Sequence, residues 1–200
     1  MLSLCLELML TALVVVSAPA IAQDTLNPQT SSAPAGFAAP GQIGRYKLGS
    51  SHDYGKASLG VAYQYALSDG STDSSFATLY LYQREEAERG WSVDSVLATS
   101  VAVFKKGLNV MRNRGDYENY QIASEGRDSV MMSDVLKLPG YHVAYAFRRG
   151  GRTAVSFFYL FVAGNNLVKV RGTVPESHWQ NTDLPSFAHA VAVASVKPVP

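Results

Sequence analysis

The sequence predicts an α+β fold: an antiparallel β-sheet, made of a hairpin and a meander, with a long helix and a C-terminal helix packed on it. Three observations support this. Several segments alternate apolar and polar residues at period two, which is typical of half-buried strands. One stripe of apolar residues recurs at helical spacing. One further run is apolar on both strand faces, so it needs cover on both sides of the sheet.

The predicted hairpin comes first in the chain. Its first strand runs from Leu59 to Leu67, and its second strand runs from Phe76 to Arg84. The loop 68–75 between them contains Asp69 and Asp73 but lacks the ligand spacing of a calcium loop, so it is read as a polar connection. The first strand is predicted to place five apolar or aromatic residues on one face: Leu59, Val61, Tyr63, Tyr65 and Leu67.

The long helix follows, from Val93 to just before Gly115. Ser92 is suited to be its N-cap, and Gly115 is a natural terminator. Six apolar residues fall on one stripe that should face the sheet: Val96, Leu97, Val101, Phe104, Leu108 and Met111.

The second half of the chain predicts a meander and a closing helix. Leu184 to Val196 forms this helix, with Asp183 as N-cap. Ala154 to Val162 is the run that is apolar on both faces, which predicts a central strand. Turn residues predict three tight turns, at 125–128, 149–152 and 164–166. The strands between them are predicted at 120–125, 129–138, 141–148, 153–162 and 167–174.

The N-terminus predicts export. Residues 1–22 resemble a secretory signal, with an apolar run from Leu8 to Val16 and a cut between Ala22 and Gln23, although no basic residue precedes the run. An uncleaved N-terminal anchor is the alternative. Residues 23–41, rich in Ala, Pro and Ser, predict a disordered tether, and 42–200 a single domain. The expected location is periplasmic or secreted, with no stable membrane span after cleavage.

Composition limits the function. Cleavage would remove the sole cysteine, Cys5, so the mature chain could form no disulfide. It would also remove Glu7, which leaves 17 basic and 15 acidic residues and a net charge of +2. Nucleic-acid-binding proteins usually carry a much larger basic excess, so a nucleic-acid partner is not expected.

The order of hairpin, long helix, meander and closing helix resembles the PsbP-like α/β/α sandwich proteins, which include uncharacterised exported proteobacterial proteins. The residues 159–161, 168–171 and 173–176 are similar to a strand pair in such secreted proteins. The resemblance implies a non-enzymatic scaffold or binding domain, and it assigns no functional residue to this chain.

Catalytic and metal motifs are not found in the sequence. Residues 49–56 resemble a phosphate-binding loop, but the glycine spacing is wrong and Ala57 replaces the required hydroxyl, so a turn is predicted there. A hydrolase using Ser50 or Ser51 with His52 and an acidic residue is a minor alternative. No metal or other cofactor is expected, because no two of four histidines have ligand spacing: His52, His142, His178 and His189.

Two surfaces are candidates for contact with a partner. The first is a hairpin tip with three guanidinium groups, Arg148, Arg149 and Arg152, which could pair with carboxylate or phosphate groups. The second is a set of strand tyrosines: Tyr63, Tyr65, Tyr80 and Tyr82, besides Tyr145 and Tyr159.

The sequence therefore predicts an exported, non-enzymatic binding or scaffold protein with an envelope or extracellular protein partner. A small-ligand carrier with a pocket between sheet and helix is the main alternative. The partner, the process and the oligomeric state stay open.

Overall fold

An eight-stranded antiparallel sheet with one helix on each face forms the structure, a computed structural model that describes residues 33–34, 39–67, 76–133 and 137–196. The predicted signal, most of the tether and the loop 68–75 lie outside the described residues. The strands are β1 (Gln42–Ile43), β2 (Tyr46–Asp53), β3 (Val61–Leu67), β4 (Phe76–Gln83), β5 (Asn119–Met131), β6 (Lys137–Arg149), β7 (Arg152–Ala163) and β8 (Asn166–Pro175). The helices are α1 (Val93–Asn113) and α2 (Leu184–Val196), and 3₁₀ turns occupy Glu86–Glu88 and Glu176–Asn181.

The strand order is β1-β2-β3-β4-β8-β7-β6-β5. The predicted hairpin is confirmed as β3–β4, and the predicted meander is confirmed as β5 to β8. The two parts are joined by antiparallel pairing of β4 with β8, from Phe76 opposite Thr173 to Gln83 opposite Asn166. This junction brings residues far apart in the chain onto one continuous surface.

Helix α1 has the predicted position. The Ser92 hydroxyl accepts a hydrogen bond from the Ser95 backbone N–H at 3.1 Å, which caps the first turn. Its apolar stripe packs on β5, β6, β7 and the first part of β8, and the Phe104 ring stacks on Phe158 with 4.1 Å between centroids. The apolar spacing of the sequence is therefore sufficient to place this helix on the sheet.

Helix α2 crosses the opposite sheet face. Near its start, Phe187 packs on Tyr46 of β2 with 4.6 Å between ring centroids, and further along His189 contacts Asp128 of β5. A Cβ atom added at Gly172 of β8 would collide with the Leu184 side chain, so glycine allows the close approach of helix and sheet here. This helix therefore spans the sheet from one side to the other.

Strand β7 is the central strand that the sequence predicts. Every residue from Val155 to Val162 is buried, because α1 covers one face of the strand and α2 covers the other. The predicted turn at 149–152 is confirmed as well. Its Gly150 and Gly151 have φ values of +55° and +76°, which residues with a side chain rarely adopt.

Two local predictions are wrong. Residues 125–128 form no turn but lie inside β5, where Gly126 pairs with His142, so the predicted strands 120–125 and 129–138 are replaced by one strand that ends at Met131. Residues 49–53 form no turn either but continue β2, with Ser50 opposite Gln64 and Asp53 opposite Val61. In both places pairing with a neighbouring strand outweighs the local preference for a turn.

Among the described residues, no helix combines the length and the apolar character that crossing a membrane requires.

Candidate binding face

The predicted strand tyrosines lie on two different faces of the sheet. Tyr63 and Tyr65 point to the α2 side, where the Tyr65 ring packs on Phe187 and its hydroxyl donates to the Pro40 carbonyl at 3.0 Å. Burial raises the pKa of Tyr65 to about 12, which marks it as a core residue. Tyr80 and Tyr82 lie two residues apart on β4 and point to the α1 side. The four residues therefore do not form a single patch.

Within the part of the chain that the structure describes, a helix covers one half of the α1 side of the sheet. Helix α1 packs on β5 to β7 and the first part of β8, whereas neither described helix lies on the same side of β2, β3, β4 and the rest of β8. We call this uncovered part the open face. The strand registers place these side chains on it: Lys47, Ser50, His52, Gln64, Phe76, Thr78, Tyr80, Tyr82, Lys169, Arg171 and Thr173.

The open face is basic. It carries Lys47, Lys169 and Arg171, and no Asp or Glu occupies a position on it among the described residues of its four strands. Asp53, at the end of β2, belongs to the other face because it lies opposite Val61. The electrostatic potential at this surface is therefore positive and attracts anions.

The open face also carries aromatic rings. Phe76 is 42% exposed, although it sits at the start of a strand whose next three residues are buried. The Lys169 ammonium lies 4.1 Å from the centroid of the Tyr80 ring and 5.6 Å from that of Tyr82, a cation–π arrangement. Burial raises the pKa of Tyr80, while the Arg171 guanidinium acts in the opposite direction. Tyr80 thus stays a neutral phenol between two cations.

Arg171 lies at the border between the open face and α1. In register, it stands between Thr78 of β4 and Phe158 of β7, the residue on which α1 packs. Its Nη2 donates a hydrogen bond to the Tyr145 hydroxyl at 3.2 Å, and the side chain is half-buried. Within the described part of the chain, Arg171 has no carboxylate partner.

A pair of hydroxyl groups lies next to Arg171 on the same face. Ser156 and Thr173 stand opposite each other on β7 and β8, with their oxygens 2.5 Å apart, and Ser156 is fully buried. Polar groups buried in this way must be paired, and this pair satisfies itself. The Ser156–Thr173 pair therefore forms a polar part of the sheet next to Arg171, and its hydrogen bond holds both side chains in place.

The predicted arginine tip is confirmed as a hairpin end, but it is partly neutralised. The Arg148 Nε donates to Glu118 at 3.2 Å, and the same carboxylate accepts a hydrogen bond from the Gly151 backbone N–H at 3.0 Å. Arg149 and Arg152 are exposed. The tip thus contains a carboxylate of its own, in contrast to the open face.

The residues of the hydrolase alternative do not converge. His52 points to the open face and packs edge-on against Tyr54, with 4.6 Å between ring centroids. Asp53 points to the other face, where its carboxylate accepts the Gly55 N–H at 2.8 Å. Ser50 lies on the same face as His52 but bonds Gln64 at 3.2 Å. Ser51 lies opposite Tyr63 and so points to the face opposite to His52.

The histidines are also dispersed. His52 is on the open face, His142 on β6 and His178 in the 3₁₀ turn before α2. His189 of α2 pairs with Asp128 at 3.0 Å and links this helix to β5. Across the described ranges, no three His, Cys, Asp or Glu side chains gather as ligands for a metal ion.

Sequence reasoning missed Lys47, Phe76, Lys169 and Arg171. The signal available was alternation: Lys169 and Arg171 are the two charged residues of a largely apolar strand, at positions i and i+2. Same-face spacing of two cations on a strand indicates a surface with a purpose beyond packing. That no acidic residue lies beside Lys169 and Arg171 at the described positions of the open face depends on the pairing of β4 with β8. The sequence does not reveal this pairing.

Comparison with solved structures finds loose similarity to several proteins. A cyanobacterial PsbP from Synechocystis matches with a TM-score of 0.43 and 12% identity, over 70% of this chain and 74% of that one. A protein of unknown function from Pseudomonas aeruginosa matches at 0.38 and 11%, over 70% and 82%. The Ran-binding protein Mog1p of Saccharomyces cerevisiae matches at 0.35 and 12%, over 69% and 76%.

A PsbP, the kind of protein that the sequence resemblance named, is thus among the proteins to which this structure is loosely similar. No family model matches the chain, and no curated protein matches it either. What the chain does must therefore be argued from its own residues.

Proposed function

We propose that this is an exported, non-enzymatic binding protein that holds an acidic segment of a protein partner on its open face. The observation that carries the proposal is the combination of three cations with exposed or half-exposed aromatic rings on a face that has no acidic residue among its described positions. Charge complementarity of this kind guides association and selects the partner.

The shape of the open face favours a polypeptide. It extends over four neighbouring strands from Lys47 on β2 to Arg171 on β8, and its cations are spread instead of gathered at one point. A chain with several carboxylates can contact all of them together. Phe76 and Tyr80 offer apolar surface to the side chains between those carboxylates.

The arginine tip is the rival surface. Its guanidinium groups are close together, but Glu118 already pairs with Arg148 and with the backbone of the turn. Glu118 thus lowers the net positive charge of the tip, whereas the open face has no acidic residue among its described positions. The open face is therefore the stronger candidate, and the tip serves as its control.

The test compares the two surfaces in one assay. A fluorescently labelled glutamate-rich peptide is titrated with the wild-type protein, with the double variant K47Q/K169Q and with R148Q/R152Q, which removes the same charge. We expect the open-face variant to bind at least about tenfold more weakly and the tip variant to stay within about twofold, with the affinity of all falling as salt rises.

Binding lost in the tip variant and kept in K47Q/K169Q would transfer the function to the hairpin tip. Absence of binding by the wild-type protein would refute the proposal. Export is checked on the same protein purified from the cell envelope, whose intact mass should correspond to a chain that begins at Gln23.

A further inference from the structure

Arg171 differs from Arg84, Arg127 and Arg148 in what surrounds it. Arg84 is buried as well, but its guanidinium donates to the backbone carbonyls of Glu88 and Trp91 and so holds a loop. Arg127 and Arg148 pair with carboxylates. Within the described ranges, the polar groups recorded next to Arg171 are hydroxyls: those of Tyr145, Tyr80, Tyr117 and, across the strand pair, Thr78.

A half-buried cation without a counter-ion is unfavourable, because it loses hydration without gaining an ion pair. Burial alone would lower the pKa of Arg171, yet the neighbouring Tyr145, Tyr80 and Tyr117 raise it, so the group stays charged. Phenol hydroxyls are weaker partners than a carboxylate. The site therefore keeps a permanent positive charge with unused capacity for an anion.

The guanidinium is also held in position. Tyr145 fixes one end of the fork through its hydroxyl, and Tyr145 itself is fully buried, with its ring 5.8 Å from that of Phe104 of α1. On the neighbouring strand, Phe158 is fixed by the stacked Phe104 ring. A planar fork held in this way loses little entropy when it binds a carboxylate through two parallel hydrogen bonds.

We propose that Arg171 is the anchor of the open face and binds a single carboxylate group of the acidic partner, with Tyr80 and Thr78 beside it. This inference rests on the proposed function and adds its specificity: Lys47 and Lys169 supply general attraction, whereas Arg171 recognises the planar geometry of one carboxylate. Its position against α1 makes it the innermost cation of the face.

The test uses the arginine side-chain Nε–Hε signals in ¹H–¹⁵N spectra. Protein with labelled arginine is titrated with acetate, with inorganic phosphate and with chloride at matched ionic strength. We expect the Arg171 signal, identified by its loss in R171K, to shift saturably with acetate, more weakly with phosphate, and without saturation in chloride.

Two variants and one control are added. R171K keeps the charge but loses the fork, and Y145F keeps Arg171 but loses the hydrogen bond that orients it; the control R152K makes the same exchange at the exposed tip. We expect the glutamate-rich peptide to bind R171K about tenfold more weakly and Y145F several-fold more weakly, with R152K unchanged. Y145F keeps the test valid should R171K fail to fold, as judged by circular dichroism.

An Arg171 signal that does not respond, or that responds equally to chloride, overturns the inference, as does phosphate binding at least as tightly as acetate. Peptide binding that persists in R171K and Y145F but is lost in K47Q/K169Q overturns the Arg171 anchor alone and leaves the proposed function standing. If the peptide binds R171K, Y145F and K47Q/K169Q as tightly as it binds the wild-type protein, both the Arg171 anchor and the proposed function are refuted.

Discussion

Two halves of one sheet face differ in what covers them. Over β5 to β7, helix α1 lies on the sheet, and the side chains beneath it are apolar or aromatic, as Val143, Phe158 and Leu160 show. Over β2 to β4 the same side carries His52, Gln64 and Tyr80 instead. The strands alternate in the same way in both halves. The comparison teaches that alternation fixes which residues share a face, while the half of that face beneath a helix is apolar and the other half carries polar side chains.

The strongest test of this comparison exchanges one phenylalanine in each half. F158A removes a ring that stacks on Phe104 in the covered half, and we expect it to lower the free energy of unfolding by about 3–5 kcal/mol. F76A removes a 42% exposed ring in the open half and should cost about 1 kcal/mol or less. Urea unfolding followed by circular dichroism measures both. Equal losses would mean that the open half is as much a part of the core as the covered half.

An alkaline titration sharpens the comparison between the two faces of the sheet. The pKa of Tyr65, on the α2 side, is raised from 10.0 to about 12 by burial, so folding favours its neutral form. The stability from this preference is fully present below pH 10 and is lost as the pH rises towards 12. Y65F cannot ionise there, so its stability should fall less steeply across this window. Urea unfolding at a series of pH values measures the slopes, and parallel slopes for both proteins would contradict the assignment.

An effect smaller than that of F158A is expected at the border between the halves. T173V keeps the shape of the side chain but leaves the buried Ser156 hydroxyl without its partner, which should cost about 1–2 kcal/mol. In the double variant S156A/T173V both hydroxyls are gone, so its loss of unfolding free energy should be smaller than the sum of the losses in S156A and in T173V. Thermal or urea unfolding of the wild-type protein, the two single variants and the double variant measures these losses. Strict additivity would show that the two hydroxyls do not depend on each other.

Much of the fold could be predicted from local patterns. The stripe from Val96 to Leu108 and the cap at Ser92 located α1, and the doubly apolar run ending at Val162 identified the central strand. Turn chemistry misled where strand pairing was stronger: Gly126 looks like a turn residue, but it lies in a 13-residue strand paired along its length with β6. The polar run 49–53 carried no strand pattern, because β2 lies at the side of the sheet and faces solvent.

The candidate site was less predictable than the fold. Tyr80 and Tyr82 could be singled out from sequence, but their separation from Tyr63 and Tyr65 depends on the offset between two strands across an undescribed loop. Arg171 is a candidate anchor because of its neighbours Thr78 and Tyr145, which are 93 and 26 residues away in the chain. Such neighbours follow from the order of strands in the sheet, which local sequence patterns do not contain.

Gly172 lies on β8 between the α2 side of the sheet and the open face. It is pressed against Leu184 of α2, and the next residue towards the N-terminus, Arg171, points to the opposite face. A sheet is one polypeptide layer thick, so anything that pushes β8 from behind also moves the guanidinium in front. The packing of α2 against the sheet therefore determines how far the Arg171 guanidinium protrudes from the open face. A substitution that changes this packing is expected to change the affinity for the partner.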